Sequence, residues 1–459
     1  MTKHSKRRDD VRNATVNASM ITLTMGAAIG LGTLGGCAKR AMGPGDVAGR
    51  YIVAVCDADM AATALGGGGT GDLGERPADA RDTLTVVALP LREPQTDFAQ
   101  VEVSNSALGP PTMVDVTPDG RLAFVVESRK SGPSDAKSLS ELPVGENLAF
   151  VDLSSPMSPK VIGTVYVGEE PTAVAVHPRE RLVAVVNRTP RQQIVMLAFN
   201  ADGQVTGEPM AWPLFGLDDD SAHATCLAWR PRGDALAVTM PERNEVMFYK
   251  FKLDDDGAAT LNPWGPPVAV GKFPYSGAFT PDGKFFISTD MQWGKDVDGF
   301  NVGAPAGQLT VIRLDDSAGG SGGAHRVVST AGVGVSPEGL AISNDGRLVA
   351  TSNLLRSFLP DGDPRATTEG SLSLLTLSPA TGELTLVGEF PIAAMPAGIT
   401  FDSKDQFLAV TQFRSFDPAA TTGELSFWQV DRSGDRPTLR QMDFFVGLGQ
   451  GPHGVLIIR

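Results

Sequence analysis

The chain has 459 residues, with 52 Gly and 33 Pro, 42% apolar and 20% charged residues. That composition supports a large buried core, argues against a globally disordered chain and breaks up long helices. The formal charge of −14 has the wrong sign for phosphate contacts and sets nucleic acid aside as a partner, and three cysteines are too few for a disulfide framework.

The first forty residues read as an address. Lys3, Lys6, Arg7, Arg8 and Arg12 form a basic leader, and the apolar stretch Met20 to Leu34 behind it is padded with Thr and Gly, too short and weak to span a bilayer stably. Leu34-Gly35-Gly36-Cys37 resembles a bacterial lipobox, with small residues before a cysteine that would carry the lipid. Residues 1–36 are therefore expected to be a lipoprotein-type signal and 37–49 a flexible tether, with an ordinary cleaved secretion signal as the alternative. Arg7-Arg8 hints at twin-arginine export, although Asp9 and Asp10 follow where an apolar residue is usual. Losing the leader's five basic and two acidic residues takes the formal charge from −14 to about −17.

From residue 50 onward one pattern recurs: a Pro, a short apolar strand, a turn of the Pro-Asp-Gly kind and a second apolar strand. It runs from Pro111 through Pro118-Asp119-Gly120 to Val126, and returns at Pro171, Ala224, Pro274, Pro337 and Pro396. The turn residues 118, 178, 231, 281, 344 and 403 are spaced 50 to 63 residues apart. Asp and Gly suit such corners, because Asp hydrogen-bonds its own backbone and Gly tolerates positive φ. Second strands such as Leu122 to Val126 and Leu182 to Val186 are continuously apolar, which predicts burial on both faces. Each period has room for two more strands, Asn147 to Asp152 and Val161 to Val167 in the first copy and Glu424 to Val430 and Thr438 to Phe445 in the last. Four antiparallel strands, repeated and packed face to face, describe a β-propeller.

The ends set the blade number. Pro452 to Ile458 repeats the first strand of the pattern, and Arg50 to Val55 supplies the strand that should follow it. Six whole blades and one shared between the two ends make seven, leaving the ring no free edge. The expected fold is all-β, a seven-bladed propeller over residues 50–459, closed by its C-terminal inner strand.

The second strands end in Ala-Val-Val-Asn187 and Val-Ala-Thr-Ser-Asn353. They resemble the Tyr-Val-Thr-Asn repeat of surface-layer and lactonase-like seven-bladed propellers. The resemblance implies the fold; for activity it implies a family that mixes sugar-lactone hydrolases, muconate-lactonising enzymes and proteins that only bind.

On one rim the loops are unequal, brief at 187–193 and long at 57–81, 128–146, 290–307 and 354–370, and they carry Arg129, Arg188, Arg243, Arg356 and Arg414. Such a rim is either a binding surface or a set of tolerated insertions. The residue after each inner-strand Pro (or its equivalent) reads Thr112, Thr172, Thr225, Tyr275, Glu338, Ala397 and His453; the second strands end at Cys56, Glu127, Asn187, Met240, Asp290, Asn353 and Gln412. Two stacked polar rings at the channel mouth follow from this register. One reading makes His453 an acid/base partner of Glu338 or Asp290, because imidazole titrates near neutrality and a carboxylate fixes its tautomer; the other makes these groups the hydrated lining of a channel. Tyr275, His223, Glu127, Asn187, Asn353, Gln412, Arg356 and Arg414 are the expected ligand-binding set. No closely spaced ligand pair points to a metal, no Cys-x-x-Cys-His motif to covalent haem, and no cofactor is expected.

The function expected from the sequence is an exported, lipid-anchored, monomeric envelope protein of the periplasm or outer membrane. It would bind a small ligand or protein partner on its long-loop face and meet the membrane only through Cys37. The alternative is an enzyme that hydrolyses or forms a sugar lactone or related carboxylated ring.

Overall fold

The computed structural model describes residues 42–58, 73, 81–92, 96–133, 135–215, 223–254, 257–319, 323–360, 362–413 and 422–459. The expected leader and Cys37 lie outside the described residues, as does Arg414. Among the described residues no helix is long and apolar enough to cross a membrane.

The described residues from 42 onward form seven sheets of antiparallel strands. Their inner strands are β4 (Val114–Val116), β8 (Ala173–Val176), β12 (Cys226–Trp229), β17 (Pro274–Phe279), β21 (Pro337–Ile342), β25 (Pro396–Phe401) and β29 (Pro452–Ile458). Each is followed in its sheet by the next three strands of the chain, except that β29 pairs with β1 (Tyr51–Cys56), which leads to β2 (Thr83–Ala88) and β3 (Phe98–Glu102). Tyr51 lies opposite Ile458 and Ala54 opposite Val455, so the two ends share a blade as the repeat count predicts. The sheet that begins with Cys226–Trp229 has a fifth strand, Val268–Ala269, paired with the first two residues of its third strand, Glu245 and Val246. Residues 42–49, expected as tether, are partly fixed: Val47 is buried, the Ala48 amide donates to Asp402 and the Arg50 amide to the Ile458 carbonyl.

The continuously apolar second strands are buried along their length, each sandwiched between neighbouring sheets. The turns follow one chemistry. In Thr117-Pro-Asp119-Gly120 the Thr117 hydroxyl donates to Asp119, whose carboxylate accepts the Arg121 amide, and Gly120 sits at φ +71°. Thr280, Asp282 and Gly283 repeat it, as do Ser343, Asp345 and Gly346. His177 serves its turn by accepting the Arg179 and Glu180 amides on Nδ1 while Nε2 donates to the Gly233 carbonyl.

At the opposite end, the residue before the last of the second strand matters. In four successive blades it is Thr239, Thr289, Ser352 or Thr411, and its hydroxyl accepts the amide of Cys226, Ser276, Gly339 or Gly398 at 2.8–3.1 Å. In three of these blades the ladder slips just after the inner-strand Pro, freeing an amide that would otherwise be buried without a partner. Thr239, Ser352 and Thr411 also donate to carbonyls of the next blade, those of Tyr275, Ala397 and His453. The Thr of the repeat is thus a clamp within one blade and a stitch to the next.

Candidate functional site

Because side chains alternate along a strand, the residue after each clamp faces the preceding blade. This is where the expected second ring goes. Asn187 donates to the carbonyls of Val167 and Gln192, Asn353 to Ser371 and Ser373, and Gln412 to Glu424. Glu127 accepts from Asn147. Asp290 takes bonds from Ser288, Thr310, Gln308 and the Gly271 amide. A Cβ on Gly168, Gly271 or Gly334 of the preceding blade would come within 2.3–2.7 Å of Asn187, Asp290 or Asn353. Most of these bonds run to the third strand of the same blade, and only Asn187 to the Val167 carbonyl and the Gly271 amide to Asp290 reach the segment that arrives from the preceding blade. None of these polar residues lines the rim cavity described below; Glu127 instead borders a separate cleft beside Glu102 and Asn147.

The first ring does supply a cavity floor. Thr172, Thr225 and Tyr275 lie under a cavity of about 320 Å³ that opens among the rim loops. One wall holds Arg129 and Arg188, the two guanidiniums gripping opposite oxygens of Glu170, the second at 2.7 Å. Glu170 stands at φ +46° immediately before Pro171, and its amide donates to the Gly145 carbonyl, so its carboxylate is a built-in part of the wall. Facing it is a group of rings, Phe273, Tyr275, Trp293 and Phe300, with neighbouring centroids 5.4–6.4 Å apart. Trp293 is fixed by its indole N–H donating to Ser336 at 2.9 Å, and Phe273 by a positive φ before Pro274. A third side is Glu242, in the short turn that follows the strand Ala235–Met240. Oε1 of Glu242 is 3.8 Å from the His223 Nδ1, and Oε2 accepts the His223 amide at 3.4 Å.

Tyr275 connects the cavity with a more deeply buried group. Burial drives its hydroxyl well above the ordinary tyrosine pKa, and Glu338 adds to the rise, while Arg188 and the Gly109 backbone oppose it. The Glu338 backbone carbonyl accepts from the Ser276 hydroxyl, while burial alone pushes its carboxyl up to about 8; near neutral pH it holds its proton. His453 occupies the same ring position two blades on. Its Nδ1 donates to the Gly451 carbonyl at 3.1 Å, and its buried Nε2 has no hydrogen-bond partner among the described residues. Burial, only partly offset by that bond, lowers its pKa to about 4, so the imidazole is neutral. No hydrogen bond or ion pair joins His453 to Glu338 or to Asp290, whose own pKa burial lifts to about 6 against its four donors. Arg356 is occupied by the Val302 and Ala304 carbonyls at 2.8 and 2.9 Å and braces a rim loop. Among the described residues no group of three or more His, Cys, Asp or Glu is gathered so as to hold a metal ion.

Sequence reasoning found the rim, Arg129, Arg188, Tyr275 and His223, and missed Glu170, Glu242 and the aromatic wall. Glu170 and Phe273 share a signal that could have been read: each is the residue before an inner-strand Pro.

The sequence profile described as lactonase, 7-bladed β-propeller, matches residues 79–439. The chain belongs to this lactonase family. No curated protein sequence matches it. Among solved structures it is similar to the periplasmic gluconolactonase of Pseudomonas aeruginosa, at 16% identity and a TM-score of 0.57 over 89% of this chain and 99% of that one. A Bacteroides uniformis protein provisionally named 6-phosphogluconolactonase is similar at 14% identity and TM-score 0.56, over 88% and 99%. A hypothetical selenium-binding protein from Sulfolobus tokodaii reaches 13% and 0.55, over 89% and 93%. At these identities the structural likeness establishes the propeller; which activity this lactonase-family chain carries has to be argued from the rim.

Proposed function

We propose that this chain hydrolyses a hydroxylated lactone in the rim cavity. The observation that carries the reading is the meeting, in one cavity, of a carboxylate, a pair of arginines and a tyrosine hydroxyl with an aromatic wall. Membership of the lactonase family supports it. An apolar pocket with a few convergent polar groups is the usual form of a small-molecule site, and the ring faces offer a surface for the C–H face of a sugar ring.

The chemistry follows from the donors and acceptors present. Glu242 takes a proton from water, and the hydroxide attacks the lactone carbonyl. His223 acts as a positioning residue, holding the Glu242 carboxylate by its amide and ring. Charge developing on the carbonyl oxygen meets the Arg188 guanidinium and the Tyr275 hydroxyl, which its high pKa keeps as a donor. The C–O bond of the ring breaks, and the proton held by Glu242 passes to the departing oxygen, giving a hydroxy acid. The test is a panel of lactones with the purified chain. Turnover is expected, and Glu242→Gln should lower kcat by about a hundredfold or more, the usual worth of a positioned base, at unchanged thermal stability. A panel with no turnover would overturn the reading in favour of ligand binding alone.

We propose also that the chain is exported with Cys37 as its lipid attachment point, a reading supported by the basic leader and the lipobox-like Leu34-Gly35-Gly36-Cys37. Labelling with a radioactive fatty acid should be lost in Cys37→Ser; equal labelling of the variant would remove the anchor.

A further inference from the structure

Two kinds of lactone could enter such a cavity, one bearing a phosphate and one uncharged, and they make different electrostatic demands. A sugar phosphate carries about −1.5 to −2 charges near neutral pH. A site built for it provides an excess of cation, as guanidiniums whose paired N–H groups remain open to the phosphate oxygens.

This cavity has no such excess among its described lining residues. Arg129 and Arg188 are balanced by Glu170 and Glu242. Nor is Glu170 a mobile counter-ion that a phosphate could displace. It is held on both oxygens by the two arginines, it sits at positive φ before a proline, and it is mostly buried. Glu338, close enough to Tyr275 to act on its hydroxyl, has its own charge removed by burial rather than by a cation. The chain as a whole is strongly anionic, at −14, and its long-range field repels a dianion before it reaches the rim. What the site offers instead is ring surface: Phe273 and Phe300 are half-buried beside the largely covered Tyr275 and Trp293.

We infer that the rim cavity selects an uncharged, unphosphorylated hydroxylated lactone, and that Glu170 is the residue that sets this preference by neutralising the arginine pair. The inference rests on the hydrolytic reading above and narrows it. Glu170 acts through Arg129 and Arg188, as a specificity-determining residue with no part in bond breaking.

The experiment compares gluconolactone with 6-phosphogluconolactone as substrates of the full chain. It also measures binding of the two product acids, gluconate and 6-phosphogluconate, by calorimetry. The wild type should favour the neutral lactone in kcat/KM by roughly tenfold or more, about 1.4 kcal/mol of discrimination, and should not be inhibited by millimolar inorganic phosphate. Glu170→Gln, which frees one positive charge, should narrow that ratio at least severalfold, chiefly by lowering KM for the phosphorylated lactone. Equal or better turnover of the phosphorylated lactone by the wild type would overturn the inference and leave the hydrolytic reading standing. Turnover of neither lactone, with no binding of either acid, would overturn both. If Glu170→Gln does not fold, the wild-type ratio and phosphate inhibition decide alone; if it folds and leaves the ratio unmoved, Glu170 is not the determinant.

Discussion

The two ends of every blade obey different rules. At the turn end, Thr117-Asp119-Gly120, Thr280-Asp282-Gly283 and Ser343-Asp345-Gly346 solve one backbone problem with the same hydrogen bonds. At the rim end the corresponding loops differ in length and chemistry from blade to blade. One supplies Arg129, another Arg188, a third Glu242 and a fourth Trp293. What is repeated holds the ring together, and what breaks the repetition makes the cavity. Between them lies a layer that is half of each, the clamp hydroxyls and the polar residues that end the second strands, which recur in several blades but not all.

The contrast can be broken by mutation. The largest effect is expected at the rim, on activity without stability. Arg188→Ala should lower kcat/KM for the substrate by about a hundredfold, with a urea midpoint close to that of the wild type. An equal fall in stability would show the arginine to be part of the scaffold. Next comes this intermediate layer. Gly334→Ala places a Cβ about 2.7 Å from the Asn353 amide and should cost about 2 kcal/mol of unfolding free energy, as overpacking does. A smaller loss is expected for Thr411→Val, which removes both the bond from the Gly398 amide and the stitch to the His453 carbonyl; about 1–2 kcal/mol is expected for a buried amide left unsatisfied. Loss of turnover with full stability in either variant would erase the distinction between scaffold and site.

The smallest effect is a slope with pH. Glu338 has a folded-state pKa of about 8, above its ordinary value of 4.5, so the folded chain binds this proton more tightly than the unfolded chain does. Its contribution to stability is fully present below pH 4.5 and is lost as pH rises towards 8. His453, lowered from 6.5 to about 4, runs the other way, its contribution being lost as pH falls through that interval. Glu338→Gln should therefore flatten the decline in the urea midpoint between about pH 5 and about pH 8. An unchanged slope would mean that Glu338 is solvated through the channel.

The repeat made the blades legible, because Pro, the apolar run and Asp-Gly are local devices whose spacing survives in the sequence. Closure by Pro452–Ile458 could be counted out for the same reason. The second ring was read in the right register but assigned the wrong surroundings: Asn353 and Asp290 follow a clamp residue, and alternation turns them towards the preceding blade. Only the ladder slip at Pro337 and its neighbours reveals which of the two adjacent positions meets the inner strand. The site was half legible. Arg129 and Arg188 could be assigned to the rim, whereas their shared partner Glu170 comes from a different loop, and such a pairing has no sequence period to betray it. The aromatic wall likewise joins Phe273 to Trp293 across a strand hairpin, a meeting fixed by folding rather than by spacing.

The seam between Tyr51–Ala54 and Val455–Ile458 has a consequence for how the molecule is made. The strand that locks the circle is synthesised after all the others, so the first sheet waits with an open hydrogen-bonding edge until translation has passed the final repeat. Six sheets can collect beforehand, but the ring closes only when this strand arrives. A shortened version lacking Pro452–Ile458 would emerge as an arc whose exposed edge invites a second copy.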